Sequence, residues 1–368
     1  MGTVDYFEID FLNVGESQSG DAIALRYERQ GNTFVHVVDG GFQDDGPNIM
    51  AHLRKYYGGN GASHVVLTHP DSDHAGGLVT VLEECEVPPG GGLWMLRPWL
   101  YASELIDHFA RFTTVGGLEE ALREAYPNVA ALEAIAERRG IPIYEPFQGA
   151  MIGEFTVLAP SKARYLQLIV DSERTPKEAA PTGSVWLIEA LQSAAAKVIR
   201  YVKAAWGVEV FSTEPTSAEN EMSVVQYTSL CDEKILITGD VGREGLTEAA
   251  DFAPLIGLEL PGIDRFDVPH HGSRRNVSTE VLDRWLGPRL PQQLPDGQGS
   301  FQALISANPD DKEHPRRAVV RGLIHRGANV VQTTGKRGAY LRTSKDAPPR
   351  DDAVPAKRLP YPEDQEED

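Results

Sequence analysis

The chain has 368 residues, 41% hydrophobic and 24% charged, and its 54 acidic against 35 basic residues give a formal net charge of −19. This composition is typical of a globular protein, and one large α/β domain with insertions can fill the length. The acidic balance disfavours sequence-independent binding to long nucleic acid, and two cysteines cannot supply a disulfide framework. Neither a basic, apolar leader nor an apolar stretch of ~20 residues is found, which predicts a cytoplasmic protein without a membrane span.

The N-terminal part alternates strand patterns with polar, glycine-bearing loops. Asp39 follows the third predicted strand and precedes two glycines. An aspartate there can reach a site at the end of the strand, although a turn role is also compatible. The patterns predict strands at 6–12, 22–27 and 33–38 and a helix at 48–57.

A β-branched run at Val65–Thr68 leads into the densest cluster of potential metal ligands. His69, Asp71, Asp73 and His74 fall within six residues. Because alternate residues at a strand end point the same way, His69 and Asp71 can face one point, and a turn can aim the other two at a second. Such a cluster favours metal binding over a plain polar turn.

Two helical insertions, at about 101–140 and 162–219, are predicted within a single domain of residues 1–343. The second insertion contains a long predicted helix at 184–206 between segments rich in Pro, Ser, Thr and Glu. It is a mobile arm over the site, a docking element for a protein partner, or a plain surface insertion. Residues 344–368 are rich in Pro, Asp and Glu and are predicted to form a disordered acidic tail.

Strands in the C-terminal half deliver further polar residues. Asp240 follows a strand through Thr-Gly, and His270 and His271 follow the next strand pattern. One carboxylate such as Asp240 can bridge two cations with its two oxygens. The last two strand patterns, at 329–333 and 339–342, are predicted to form a hairpin.

The order of these motifs resembles that of a known family. His-x-Asp-x-Asp-His-x-Gly-Gly, Thr-Gly-Asp and Pro-His-His-Gly-Ser resemble the metallo-β-lactamase superfamily, most of all the hydrolase domain of ComEC-type competence proteins. The resemblance implies an αββα sandwich of two mixed β-sheets with helical insertions, in the α/β class. It is supported by the Asn-Val-Gly loop with Gly20-Asp21, by Val-Asp-Gly-Gly at 38–41, and by Ser306, Asn308, His314-Pro315, Thr334 and Gly338.

The resemblance also implies one or two divalent metal ions, Zn²⁺ or Mn²⁺. A first position would use His69, Asp71 and Asp240. Asp71 stands where the family usually has a second histidine, and this oxygen-rich set favours Mn²⁺ or another hard ion. A second position would use Asp73, His74, Asp240 and one histidine of the pair, with His271 preferred and the reverse left open. Asp39 would support these ligands from behind.

The activity implied is hydrolysis by a metal-activated hydroxide, with a phosphodiester of DNA or a nucleotide as substrate. Asp73, His270 and His314 are the candidate catalytic residues, and Asn220, Ser273, His270 and His314 the candidate contacts to substrate oxygens. An acyl-ester or lactone hydrolase and a non-catalytic partner-binding module are the alternatives. A basic rim near the site is predicted from Arg274, Arg275, Arg316, Arg317, Arg321, Lys336 and Arg337.

Overall fold

The computed structural model describes residues 4–175, 200–333, 339–342, 347–350 and 357–367. The helices are α1 Gly46–Tyr56, α2 Ser72–Ala75, α3 Leu78–Glu84, α4 Ala102–Leu105, α5 Val115–Ala125, α6 Pro127–Arg139, α7 Lys162–Asp171, α8 Ala218–Glu221, α9 Arg243–Phe252, α10 Thr279–Leu286 and α11 Arg317–His325. The strands are β1 Val4–Phe11, β2 Ile23–Arg29, β3 Asn32–Val38, β4 His64–Val66, β5 Gly92–Trp94, β6 Ile143–Tyr144, β7 Met151–Ile152, β8 Phe155–Ala159, β9 Tyr201–Lys203, β10 Val225–Leu230, β11 Glu233–Ile237, β12 Arg265–Asp267, β13 Phe301–Ile305, β14 Ala328–Gln332, β15 Ala339–Arg342, β16 Lys357–Arg358 and β17 Asp364–Glu366.

The strands form two mixed sheets. The first has the order β15-β1-β2-β3-β4-β5-β6, and the second has the order β16-β14-β13-β12-β11-β10-β8-β7. Strands β3 to β6 run parallel, as do β11 to β14, while the remaining neighbours within each sheet are antiparallel. Because parallel strands end at the same edge, the loops that follow β3, β4, β11 and β12 can meet there.

Three buried apolar clusters define four layers. Alternation along β1 sends Phe7, Ile9 and Phe11 into a cluster that also holds Ile235 and Leu304 of the second sheet, so the two sheets pack face to face. Helices α1, α3, α5 and α6 cover the outer face of the first sheet, and α9, α10 and α11 cover that of the second. The predicted αββα sandwich of two mixed sheets is therefore confirmed.

The final strands differ from the predicted hairpin. β14 lies in the second sheet beside β13, whereas β15 pairs with β1 at the edge of the first sheet. The hairpin prediction is wrong because both sheets had an unpaired edge that a strand could complete, and the sequence pattern does not specify which sheet each strand joins.

The C-terminal segment also differs from the predicted disordered tail. Residues 357–367 are described and include β16, which pairs with β14, and β17, which pairs with β9. Glu366 accepts hydrogen bonds from the backbone N–H groups of Arg317 and Ala318 at 2.8 and 2.9 Å, so its carboxylate caps the start of α11. An acidic residue of the segment that was predicted to be disordered thus pairs with the free N–H groups of a helix terminus.

Parts of the predicted insertions fall outside the described residues. The helix predicted at 184–206 lies mostly there, and its described end forms β9 instead. Within the described ranges, no helix has the length and apolarity needed to cross a membrane. Cys85 and Cys231 are not joined in a disulfide.

Candidate metal centre

The candidate ligands lie on loops that leave the parallel strands of both sheets. His69 and His74 follow β4 of the first sheet, whereas Asp240 and His271 follow β11 and β12 of the second. The loop after β4 is held by Asp39, which accepts hydrogen bonds from Thr68 N at 2.8 Å and Thr68 Oγ1 at 2.6 Å. Each sheet therefore contributes half of the cluster.

The loop after β12 has an unusual backbone. His270, His271 and Gly272 have φ angles of 50°, 54° and 87°. Two consecutive histidines in the left-handed region are sterically costly, and such conformations concentrate at functional sites. The two adjacent side chains lie near different carboxylate oxygens of Asp240, His270 near Oδ2 and His271 near Oδ1.

Imidazole and carboxylate atoms converge around Asp240. Asp240 Oδ1 lies 3.3 Å from His74 Nε2 and 3.8 Å from His271 Nε2, and Asp240 Oδ2 lies 3.8 Å from His69 Nε2. Asp73 Oδ2 lies 3.7 Å from His271 Nε2. Two triads, His69–His74–Asp240 and Asp73–His74–His271, each have ligand atoms within 4.8 Å of one another. The cluster thus has the separations of ligands around a shared cation.

The same atoms have no hydrogen-bond partner within the described residues. The Nε2 atoms of His69, His74 and His271 and Oδ1 of Asp240 are buried and unsatisfied. An orphaned buried polar atom costs about 1–3 kcal/mol, so four at one point indicate a missing partner. Imidazole nitrogens and carboxylate oxygens are ligand atoms that divalent cations bind in proteins, so these residues fit a metal.

The outer nitrogens of these histidines are fixed from behind. His74 Nδ1 lies 2.7 Å from Asp39 Oδ2, and His271 Nδ1 lies 2.9 Å from the carbonyl of Ser306. Such contacts hold the Nδ1–H tautomer and leave Nε2 to bind a metal. The structure thus places Asp39 in the supporting position expected from the sequence.

Asp21 is a member of the cluster that sequence reasoning missed. Its carboxylate lies 3.4 Å from His271 Nδ1 and 3.9 Å from His74 Nδ1. It also forms a triad with Asp240 and His271. The available signal was its place directly before β2 in the Gly-Asp segment of the family resemblance.

Electrostatics at the centre favour positive charge. Burial alone would raise the pKa of Asp240, but His270, His74 and His271 hold it well below its ordinary value. Burial alone would lower the pKa of His74, but Asp240 and Asp39 raise it well above its ordinary value. The field of the carboxylates therefore stabilises protons on the imidazoles, and it would stabilise a cation in the same way.

Asp71 occupies a more peripheral position than the other predicted ligands. Its Oδ2 lies 3.7 Å from His69 Nε2, while its Oδ1 forms an ion pair with Arg174. It belongs to none of the compact triads found among the described residues. The predicted first position thus has His69 and Asp240 together, with Asp71 turned partly toward a guanidinium.

The two histidines of the pair have different surroundings. His271 is buried with Nε2 facing the cluster, whereas His270 is partly exposed and its Nε2 lies 3.6 Å from Asp240 Oδ2. His270 Nδ1 lies 3.0 Å from both Asn220 Nδ2 and Asn276 Oδ1. Asn276 was also missed, and it donates a further bond of 2.7 Å to the Asp240 carbonyl. Asn220 therefore contacts the predicted substrate-side histidine.

The remaining predicted contacts lie on the same side. His314 stacks on His270, with ring centroids 5.5 Å apart, and its Nδ1 lies 3.3 Å from Asp311 Oδ2. Ser273 Oγ accepts a 3.3 Å hydrogen bond from Arg275 N, so this hydroxyl stabilises a turn. His314 is placed beside the centre, and Ser273 is engaged by its own loop.

The arginines of the predicted basic rim that the structure describes have local partners. Arg321 is buried and donates to the carbonyls of Ala204, Ala205 and Pro362. The other described members face local partners: Arg274 the Val210 carbonyl, Arg275 Glu214, Arg316 Glu313, and Arg317 Asp364. Lys336 and Arg337 fall outside the described residues. The basic rim itself stays a prediction.

A comparison with family models agrees with the first of the sequence motifs. Residues 21–93 match the family model of the Metallo-beta-lactamase superfamily. This segment contains Asp21, Asp39 and the His69–His74 cluster, while Asp240 and His271 lie outside it. No curated protein sequence matches the chain.

Three similar solved structures share little sequence identity with the chain. They are the Rm3 metallo-beta-lactamase (10% identity, 63% of this chain and 64% of that chain, TM-score 0.27), a Thermotoga maritima protein assigned as a metallo-beta-lactamase (9%, 68% and 92%, 0.29), and the metallo-beta-lactamase SMB-1 with mercaptoacetic acid (8%, 77% and 86%, 0.31). The chain thus spans just under two thirds of the first of these. The closer likeness to ComEC-type hydrolases stays a prediction. Residues 21–93 are thus similar in sequence to the Metallo-beta-lactamase superfamily, and the αββα fold described above is consistent with that match.

Proposed function

We propose that this protein is a metal-dependent hydrolase that cleaves a nucleotide-sized phosphodiester. The observation that carries the proposal is the set of buried, unsatisfied Nε2 and carboxylate atoms converging from both sheets. Proteins of this superfamily are mostly metal-dependent hydrolases, typically with zinc.

Asp240 is proposed as the shared ligand of one or two divalent cations. His69 would complete one position, with Asp71 joining it from the periphery. Asp73, His74 and His271 would hold the other, because their ligand atoms form one compact triad. A bound cation supplies Lewis acidity and lowers the pKa of water near the scissile group.

The protein's own side chains are proposed to handle substrate and protons. Asp73 is partly exposed beside the centre and can orient the attacking water as well as bind metal. His270 faces Asp240 from the open side and is held by two asparagines, so it is suited to contact a substrate oxygen. His314, oriented by Asp311, is suited to deliver a proton to the leaving oxygen.

The oxygen-rich cluster and the resemblance to ComEC-type domains support a phosphodiester over an acyl substrate. The pairing of the expected rim arginines with local partners argues against a long nucleic acid, since tracking a backbone requires a continuous positive groove. A nucleotide or another small phosphodiester is consistent with the oxygen-rich cluster and does not require a continuous positive groove. The segment 162–219 stays a candidate docking element for a protein partner.

The test combines metal content with hydrolysis. Purified protein is measured for bound metal and assayed on bis(p-nitrophenyl) phosphate and p-nitrophenyl acetate with Mn²⁺ or Zn²⁺. Asp240→Ala and Asp73→Ala should each lower phosphodiester hydrolysis by about a hundredfold or more, with metal loss greatest for Asp240→Ala. Asp251→Ala, which removes an exposed carboxylate paired with Arg284, is the matched control and should keep full activity.

The outcomes separate the alternatives. Hydrolysis of the acetate but not the phosphate would move the substrate class to acyl esters. Metal content near zero together with no hydrolysis under either ion would overturn the enzyme assignment and favour a non-catalytic binding module.

A further inference from the structure

Arg174 lies beside the candidate metal ligand Asp71, on a turn that several contacts hold in place. It follows α7, and its backbone N–H donates to Ser172 Oγ at 3.1 Å. Thr175 Oγ1 donates to the Ser172 carbonyl at 2.8 Å, and Tyr126 OH donates to Ser172 Oγ at 3.1 Å. Ser172 in turn hydrogen-bonds the buried Glu219. These contacts fix the point from which the Arg174 side chain extends.

The guanidinium of Arg174 is only partly engaged. Nη2 forms the ion pair with Asp71 Oδ1, and Nε lies 3.9 Å from Glu219 Oε1. No described contact uses Nη1, and 39% of the side chain is exposed. A guanidinium carries five N–H donors in a planar fork, so Arg174 can hold Asp71 and still bind another anion.

Arg174 also lines an open cleft of about 570 Å³. The cleft lies against α5, and its lining combines apolar, acidic and basic side chains. Arg111 is the other cation there, and Arg174 is the one joined to the cluster through Asp71. The cleft is lined by Arg111, Phe112, Gly117, Glu120, Ala121, Glu124, Ala125 and Arg174.

Charge explains why an arginine at this place matters. Asp73 and Asp240 belong to the candidate ligand cluster, Asp71 lies at its periphery, and Glu120 and Glu124 line the cleft together with Arg174. An anionic substrate entering past these carboxylates is repelled unless a fixed cation compensates. We infer that Arg174 binds an anionic oxygen of the substrate next to the metal cluster and thereby selects phosphorylated over neutral substrates.

This inference rests on the proposed phosphodiesterase function, but binding tests it separately from turnover. The probe is inorganic phosphate, titrated calorimetrically into the Mn²⁺-loaded full chain. Arg174→Ala should weaken phosphate binding about tenfold or more, and Arg174→Lys should restore part of it as a point charge. The control variant Arg138→Ala lacks an exposed arginine of α6 that pairs with Glu83 of α3. It should bind phosphate like the wild type.

Kinetics supply a second readout. Arg174→Ala should raise KM for bis(p-nitrophenyl) phosphate and leave KM for p-nitrophenyl acetate unchanged, with bound metal equal to wild type. Unchanged phosphate affinity in Arg174→Ala would overturn the inference. So would loss of metal in Arg174→Ala, because Arg174 would then serve only to orient Asp71. If the wild type hydrolyses neither ester but Arg174→Ala still loses phosphate binding, the proposed function fails and the anion site stands.

Discussion

The histidine pair between the sheets gives a prediction about stability and pH. His64 on β4 packs edge-on against His36 on β3, with ring centroids 4.7 Å apart. Trp94 Nε1 donates to His64 Nδ1 at 3.1 Å, which requires that nitrogen to be unprotonated. Burial lowers the pKa of His64 from 6.5 to about 4. Burial also lowers the pKa of His36, whose two ring nitrogens have no hydrogen-bond partner among the described residues.

The sign follows from the lowered folded-state pKa. Between pH 6.5 and 4 the unfolded chain binds a proton at His64 that the folded chain does not, so stability falls as pH decreases through this window. The whole shift corresponds to roughly 3 kcal/mol. Between pH 7 and 5, after allowance for partial solvent screening, we expect a loss of about 1 to 2 kcal/mol from His64.

The assay compares guanidinium unfolding of the wild type and His64→Gln at pH 7, 6 and 5 in chelator. Glutamine keeps an acceptor for Trp94 without a titrating group. The comparison is necessary because the carboxylates near His74 raise its pKa and give an opposite pH dependence in both proteins. Wild type should lose about 1 to 2 kcal/mol relative to the variant between pH 7 and 5. A difference in unfolding free energy that stays constant over this range would refute the reasoning.

Other contacts make further predictions. Asp39→Asn should weaken metal affinity by about 10- to 100-fold, because His74 loses its anionic partner. Competition with a chromophoric chelator measures this affinity. An affinity equal to that of the wild type would show that Asp39 does not orient His74. Glu209→Gln should cost about 3 kcal/mol in denaturant unfolding, because the buried Arg326 loses one of its carboxylates. Its control is Glu214→Gln on the surface, which should change stability by less than about 0.5 kcal/mol; equal effects of the two variants would contradict a special role for burial.

Sequence patterns identify the residues that come together where these residues are dense in the chain or follow strands. His69, His74, Asp240 and His271 come together because loops leaving parallel strands meet at one edge, a rule that sequence patterns can use. Asp21 and Asn276 could not be found in this way. Each is a single polar residue in a loop, and its proximity to the histidines depends on how the two sheets face each other.

The strands of the C-terminal segment and the buried position of Arg321 were not predicted, for a related reason. Composition describes the average environment of a segment and contains no information about a specific partner far away in the chain. Glu366 caps α11 from 48 residues away, and Arg321 binds carbonyls of residues 204, 205 and 362. Both residues have charges typical of exposed sites and are buried because they satisfy backbone groups.

The pairing of β15 with β1 has a consequence for how a cation would leave the protein. The chain passes from β14 in the second sheet to β15 in the first, so the two sheets share a strand-to-strand link in addition to their apolar interface. A cation bound by His74 and Asp240 would connect the same two layers through a loop of each sheet. A local separation of the sheets would part these two ligands and release the cation. We therefore expect chelation to follow the slow opening that amide hydrogen exchange detects in β4 and β11, and not the faster motions of surface loops.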